Sequence, residues 1–365
     1  MNKLLYVLIL SISFGLFSCE TDIDVNAEYK DITAVYGLIN PSESNHYIKI
    51  NKAFLGEGSA LDLAANADNF NYAAGELIVT VEAYDGNNSL KNTYSTTRTV
   101  NEIIKDQGIF DNSSNVLYKF IEPNINRDYK YLVKIVNTET DKEVTAETQI
   151  VGSFAISSSS TDPKFQFWNG TAGSGNYLNK RVEVVVGRNI GRVATSLIFH
   201  YTQFYTISSG KDSTVHFIEM PLGDEQTLTP LGNEELSWVL LGETFFDNIR
   251  ASVSSGSTIS DFSHRRMDNI SLDFAVGGTE LNTFIEVSAP SSSVNQDKPS
   301  YTNINNGLGI FSSRELIPWV STLDPIASNQ INIQNSTIAK LQSLNLGFCF
   351  GDVNIGFPAA PCQQL

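Results

Sequence analysis

From Glu76 to Tyr84, Leu77, Val79, Val81 and Ala83 recur at every second position and share one face. A side-chain period of two is the mark of a strand with one covered side. Asp85-Gly86-Asn87-Asn88 follows with turn chemistry. The pattern recurs along the chain. Ile32 to Leu38 reads as a first strand closed by Asn40-Pro41-Ser42, and His46 to Ile50 as a second. Ser59 is placed to cap a brief helix over Ala60 to Ala67. Tyr129, Tyr131, Val133 and Ile135 line another strand, Asn137 to Asp141 turns the chain, and Val144, Ala146 and Thr148 return. Strands of this length and spacing predict an immunoglobulin- or fibronectin-type-III-like β-sandwich over residues 31–152. Its expected end lies near Ser153, before the linker-like run Ser157 to Pro163.

Residues 153–365 form a second expected domain, also β-rich, with one or two short helices. Val182, Val184 and Val186 alternate. Ser196 to Ile207 is a long strand with apolar residues on both faces, so each is covered or one lines a groove. Val215 to Glu219 completes a hairpin with it. Leu241 to Val253 carries a helical stripe of Phe245, Phe246, Ile249 and Val253. Ile270 to Val276 and Phe284 to Val287 read as strands separated by Gly277-Gly278, and Ser336 as the cap of a helix over Thr337 to Ser343. The expected class is therefore mainly β throughout.

The N-terminus sets the address. Lys3 is the sole charge before Glu20, and Leu4 to Phe17 is apolar or small. This fits a secretory signal over residues 1–18 and is too short for a membrane span. Leu16-Phe17-Ser18-Cys19 resembles the bacterial lipobox, with Phe17 bulkier than usual in the middle position. The expectation is cleavage before Cys19, lipid on its sulfur, and a polar tether over residues 19–30. An ordinary secretory signal followed by a free cysteine is the alternative. Each buried acyl CH2 contributes about 0.8 kcal/mol, so more than one chain gives a stable anchor. The acidic residues after Cys19 resemble the export signal that sends Bacteroidota lipoproteins to the outer face of the outer membrane.

Charge and cysteine usage narrow the partners. The net charge is −16, and Lys and Arg do not cluster into a patch, which excludes nucleic acid as the main partner. Besides Cys19 there are Cys349 and Cys362, expected to form a disulfide outside the cytoplasm. A metal site there is disfavoured because the four histidines, His46, His200, His216 and His264, lie elsewhere in sequence.

Catalytic signatures are scarce. The histidines have no metal-ligand spacing, and no Gly-x-Ser-x-Gly elbow occurs. The reading is therefore no enzyme, no cofactor and no metal. Glu234-Glu235 and Asp224-Glu225 are candidates by residue type alone for a carboxylate pair, and keep a surface hydrolase as one alternative. His264-Arg265-Arg266 is a local cationic knot, expected on an exposed loop and able to grip a carboxylate. Asp212-Ser213-Thr214 resembles the O-glycosylation sequon of Bacteroidota and would place a glycan on Ser213. Phe165, Phe167, Trp168, Tyr201, Phe204, Tyr205, Trp238 and Trp319 are core residues or a stacking platform, with Trp168 expected on a loop.

Val35-Tyr36-Gly37-Leu38, Tyr47 to Lys52 and the stretch Tyr301 to Phe311, together with the lipobox, carry a wider likeness. They resemble uncharacterised Bacteroidota lipoproteins with a domain of unknown function, some encoded beside TonB-dependent receptors. The resemblance implies an envelope lipoprotein with a β-sandwich region and supplies no catalytic residue. Asn303, Asn305, Asn306, Gly307 and Gly309, with Trp168, are the candidate ligand or partner loop; a structural turn at the end of a sandwich suits the same residues. The functional expectation is a surface-exposed, non-catalytic lipoprotein, held to the membrane through Cys19, that assists a TonB-dependent receptor in nutrient uptake. An adhesin or structural envelope protein is the other alternative.

Overall fold

The computed structural model describes residues 32–53, 59–157, 164–171, 173–208, 210–253, 260–289, 300–320 and 332–349. The expected signal and tether, Cys19 and Cys362 lie outside them. The fold is mainly β, built from antiparallel sheets with a few short helices.

The first half runs β1 (Thr33–Ile39), β2 (Asn45–Lys52), α1 (Ala60–Ala64), α2 (Ala67–Phe70), β3 (Leu77–Tyr84), β4 (Leu90–Ser95), β5 (Thr97–Val100), β6 (Val116–Ile121), β7 (Lys130–Asn137) and β8 (Glu143–Gln149). Alternation decides which face is covered: Val79, Val81, Ala83, Tyr131, Val133, Ile135, Val144 and Ala146 are all buried. Ser59 caps α1 by accepting from Leu61 N, and Asn66 caps α2 in the same way, so the expected single helix is two short ones.

The second half continues with β9 (Phe154–Ile156), β10 (Trp168–Thr171), β11 (Ser174–Tyr177), β12 (Lys180–Val186), β13 (Ile190–Ile207), β14 (Gly210–Gln226), β15 (Glu234–Leu240) and α3 (Gly242–Ser252). After these come β16 (Phe262–Gly278), α4 (Thr279–Ser288), β17 (Ile304–Asn305), β18 (Gly307–Val320), α5 (Asn335–Gln342) and β19 (Phe348–Cys349). Phe154 and Trp238, from the sheet β15-β12-β9, both pack on Phe274 of β16, at 4.9 and 5.9 Å between ring centroids. Phe245 of α3 meets Phe199 of β13 edge-on at 5.8 Å. Those contacts make a second layered core beneath the long strands.

Strand β18 joins the halves. Its residues Gly307 to Ser313 pair in parallel with β1, while Arg314 to Val320 pair antiparallel with β16. The large sheet therefore runs β14-β13-β16-β18-β1-β2-β6-β5, across the boundary expected near Ser153. Opposite it, β17 extends the sheet β8-β7-β3-β4, so the first sandwich is completed by residues distant in sequence. Ile150 and Val151, at that expected boundary, are buried core residues.

Polar side chains bind the crossing. Arg127 forms a two-pronged ion pair with Glu315 of β18, at 2.9 and 2.7 Å, and also donates to the carbonyls of Val151 and Gly152. Ser42 donates to the same carboxylate. Ser313 donates to Gln149 O and accepts from Val151 N. At this crossing the buried Glu315 and Ser313 are tolerated because both are paired.

Further local expectations differ from the structure; Trp168, expected on a loop, is buried in β10. Phe284 to Val287 lie within α4, because Thr279 to Ser288 form a helix where a strand is expected. Phe284, Ile285 and Val287 favour a strand, but Leu281 and Ile285 already repeat at i, i+4. Helix α5 starts earlier than predicted, with Gln334 at its cap, and the Ser336 hydroxyl donates instead to Trp168 O. His264-Arg265-Arg266 lies in β16 rather than on a loop, and Arg265 is fully buried.

Candidate functional site

The residues singled out by sequence do not converge. Asn303 spends its side chain on backbone: it donates to Phe311 O at 2.7 Å and to Glu147 O at 3.2 Å, and accepts from Phe311 N at 2.9 Å. Asn305 donates to Thr145 Oγ1 at 3.3 Å, and Asn306, with φ of 60°, donates to Glu143 O at 3.1 Å. Gly309 has φ of +114°, and a Cβ there would lie 2.0 Å from Val35 O. A Cβ on Gly307 would lie 2.6 Å from Thr33 O. These five residues lock β17, β18, β1 and β8 together, which accounts for each of them by packing alone.

Trp168 is buried at the start of β10. Its indole N–H donates to Thr171 O at 2.7 Å, and Lys340 Nζ lies 4.2 Å above the ring. Phe165, Phe167, Tyr201 and Trp238 are likewise buried. Ser213 lies exposed on β14, opposite Phe204, its N–H bonded to the Asp212 carboxylate at 2.8 Å. Cys349 is disulfide-bonded and buried on β19, its sulfur 3.3 Å from Arg265 O. The buried Arg265 side chain donates to Gln203 Oε1 at 2.8 Å and to Leu346 O, and lies 4.6 Å over the Phe262 ring.

A different region gathers exposed chemistry. On β13 the inward set is Val193, Leu197, Phe199 and Tyr201, packed on the core. The alternate residues, Arg192, Ala194, Ser196, Ile198 and His200, face the other way. Strand pairing sets beside them Phe217 and Val215 of β14, Ser271 and Asp273 of β16, and Leu316, Pro318 and Val320 of β18. The result is a four-stranded face with long exposed apolar groups: Val215 (77% exposed), Phe217 (66%), Leu316 (57%) and Val320 (46%). Polar residues line its hollows. One hollow of about 720 Å3 is bordered by Ile198, His200, Phe217, Glu219, Asp268 and Asp273, among others. A second, of about 400 Å3, lies at the α4 end between Arg192, Arg314, Leu281, Ile285 and Leu316.

His200 is the titratable centre of the larger hollow. Its Nε2 lies 2.8 Å from Ser271 Oγ, and burial lowers its pKa while the Asp273 and Asp268 charges partly restore it. Asp268 accepts from Thr202 at 2.7 Å and Arg266 at 2.9 Å; Glu219 accepts from Ser196 at 2.8 Å. A serine beside a neutral imidazole suggests nucleophilic chemistry, but Ser271 is buried and its strand is paired on both sides, to Ile198 and to Val320. Sequence alternation placed both sides of β13 in view, but only strand order reveals that the second side is left open by the fold.

No family model matches the chain, and no curated protein matches it. Among solved structures, a "Biofilm associated protein - BSP domain" aligns over 69% of this chain and 58% of that chain, with 7% identity and a TM-score of 0.12. At that score the likeness carries no argument.

Proposed function

We propose that this protein is a non-catalytic envelope lipoprotein that presents the open β14-β13-β16-β18 face to a partner, as an accessory to TonB-dependent nutrient uptake. The observation that carries the reading is the exposed group of Val215, Phe217 and Val320 around the acidic hollow, with Leu316 exposed farther along the same sheet face. Exposed apolar patches with a polar border favour partner contact, because their burial releases ordered water while the rim selects the partner. Support for the address comes from the resemblance of Leu16-Phe17-Ser18-Cys19 to a lipobox and of the following acids to an outward export signal. The anchor and the open face together suit a protein that meets its partner in the plane of a membrane.

Two measurements test this. Cys19→Ala moves the protein from the membrane fraction to the soluble envelope fraction if the sulfur holds the lipid; retention in the membrane contradicts the anchor. Proteinase treatment of intact cells degrades the protein if it faces outward, and full protection with an intact outer membrane contradicts the surface address.

A further inference from the structure

The two hollows differ in charge. The larger is acidic, whereas the smaller, at the α4 end, contains the cations Arg192 and Arg314 in a chain whose net charge is −16. Both arginines are register partners of Gly277, one on each neighbouring strand. Their Cα atoms are thus about 10 Å apart, two strand spacings. Gly277 puts no side chain between them; Leu281 of α4 lies over it, 3.2 Å from where a Cβ would stand. Leu281, Ile285 and Leu316 give the hollow an apolar rim, and Ala194 and Ala275 keep its floor low.

Of the two acids in the lining, Glu315 is neutralised by Arg127, while Glu43 keeps its charge and is held by the Asn40 amide at 2.7 Å. Arg192 is committed to the Asp224 carboxylate and to Asn282 Oδ1 at 2.8 Å, with Glu286 at 3.9 Å. Arg314, by contrast, has no ion pair or hydrogen bond among the described residues. An unpaired guanidinium beside an apolar hollow of about 400 Å3 has the makings of a small-ligand site.

We infer that this hollow binds an organic carboxylate with a compact apolar body, Arg314 taking the carboxylate through its paired N–H groups and Leu281, Ile285 and Leu316 covering the body. The inference rests on the reading that the open sheet face is the binding face, and it names one class of ligand there. A planar fork matches a carboxylate in two parallel hydrogen bonds. Such a group has two sources, a short fatty acid or the C-terminus of a peptide.

Calorimetry on the full mature chain distinguishes them. Hexanoate stands for the fatty acid and N-acetyl-leucine for the peptide end; N-acetyl-leucinamide and inorganic phosphate are the neutral and the compact anionic comparators. The expected result is binding of at least one carboxylate, with both comparators about tenfold weaker or more. Arg314→Ala should weaken that carboxylate by about tenfold, and Arg314→Lys by less, because a point charge replaces the fork. As Arg314 is exposed and unpartnered, both variants should fold, which their melting curves check. Failure of both carboxylates to bind, phosphate binding as tightly, or equal binding by Arg314→Ala overturns the inference. Partner recovery with Phe217→Asp, at the other end of the face, judges the broader reading separately. Loss of the partner there with no carboxylate binding removes this inference alone.

Discussion

At the scale of single residues, stability concentrates where polar groups are buried at the crossing of the two halves. Glu315 is 6% exposed, and Arg127 supplies both its counter-charge and two backbone bonds. Arg127→Ala leaves that carboxylate buried without its cation, at a cost of about 3 kcal/mol. The shift should appear in the urea midpoint, and an unchanged midpoint contradicts the clamp. Asn303→Ala removes three hydrogen bonds to backbone and should cost roughly 2 kcal/mol. His46 adds a pH dependence. Burial lowers it from the ordinary 6.5, although Glu43, Glu122 and a bond to Glu122 O pull it back up. The unfolded chain therefore takes up this proton first, and stability falls as pH drops below about 6.5. Glu280 works in the opposite sense: burial raises its carboxyl, so its contribution is lost as pH rises through its raised value. Comparing urea midpoints of the parent and His46→Phe from pH 7 to 5 isolates the histidine. The variant should show the shallower acid slope, its ring keeping the stack on Phe120.

At the scale of elements, β18 is the spine. Its Gly309 lies against Val35 of β1 with φ of +114°, so Gly309→Ala combines backbone strain with a clash at a carbonyl. The variant should lose about 3 kcal/mol, read as a lowered melting temperature. How much of this was legible in sequence follows from the range of each interaction. Alternation in Leu77 to Ala83 and in Tyr131 to Ile135 gave their buried faces correctly, because strand period is local. The stripe Phe245, Phe246 and Ile249 gave α3 for the same reason. Asn306-Gly307 showed turn chemistry, but its parallel strand partner β1 lies more than 270 residues earlier, and no local pattern announces such pairing. Likewise Phe284 to Val287 carried strand-like composition yet folded into α4, where Leu281 packs over Gly277 and Leu281 N donates to Ser312 Oγ. The open face was half legible. Both sides of β13 are apolar in sequence, and only the finished packing decides which is covered.

At the scale of the whole molecule, one sheet passes through both halves and a single apolar core cluster joins them. The open face belongs to the second half, but its strand β18 is held in place by β1 and by the Arg127–Glu315 pair. Thus the site depends on the first sandwich for its shape without drawing any of its exposed apolar side chains from it. The most direct test of the proposed role is recovery of an envelope partner by the protein, purified in mild detergent from its own cells, with and without Phe217→Asp. Phe217 is mostly exposed, so the substitution should leave the melting temperature unchanged while placing a charge in the apolar patch. A large outer-membrane barrel should co-purify with the parent protein and fall by about tenfold or more with the variant. Equal recovery from the two proteins, or no envelope partner with the parent, contradicts it.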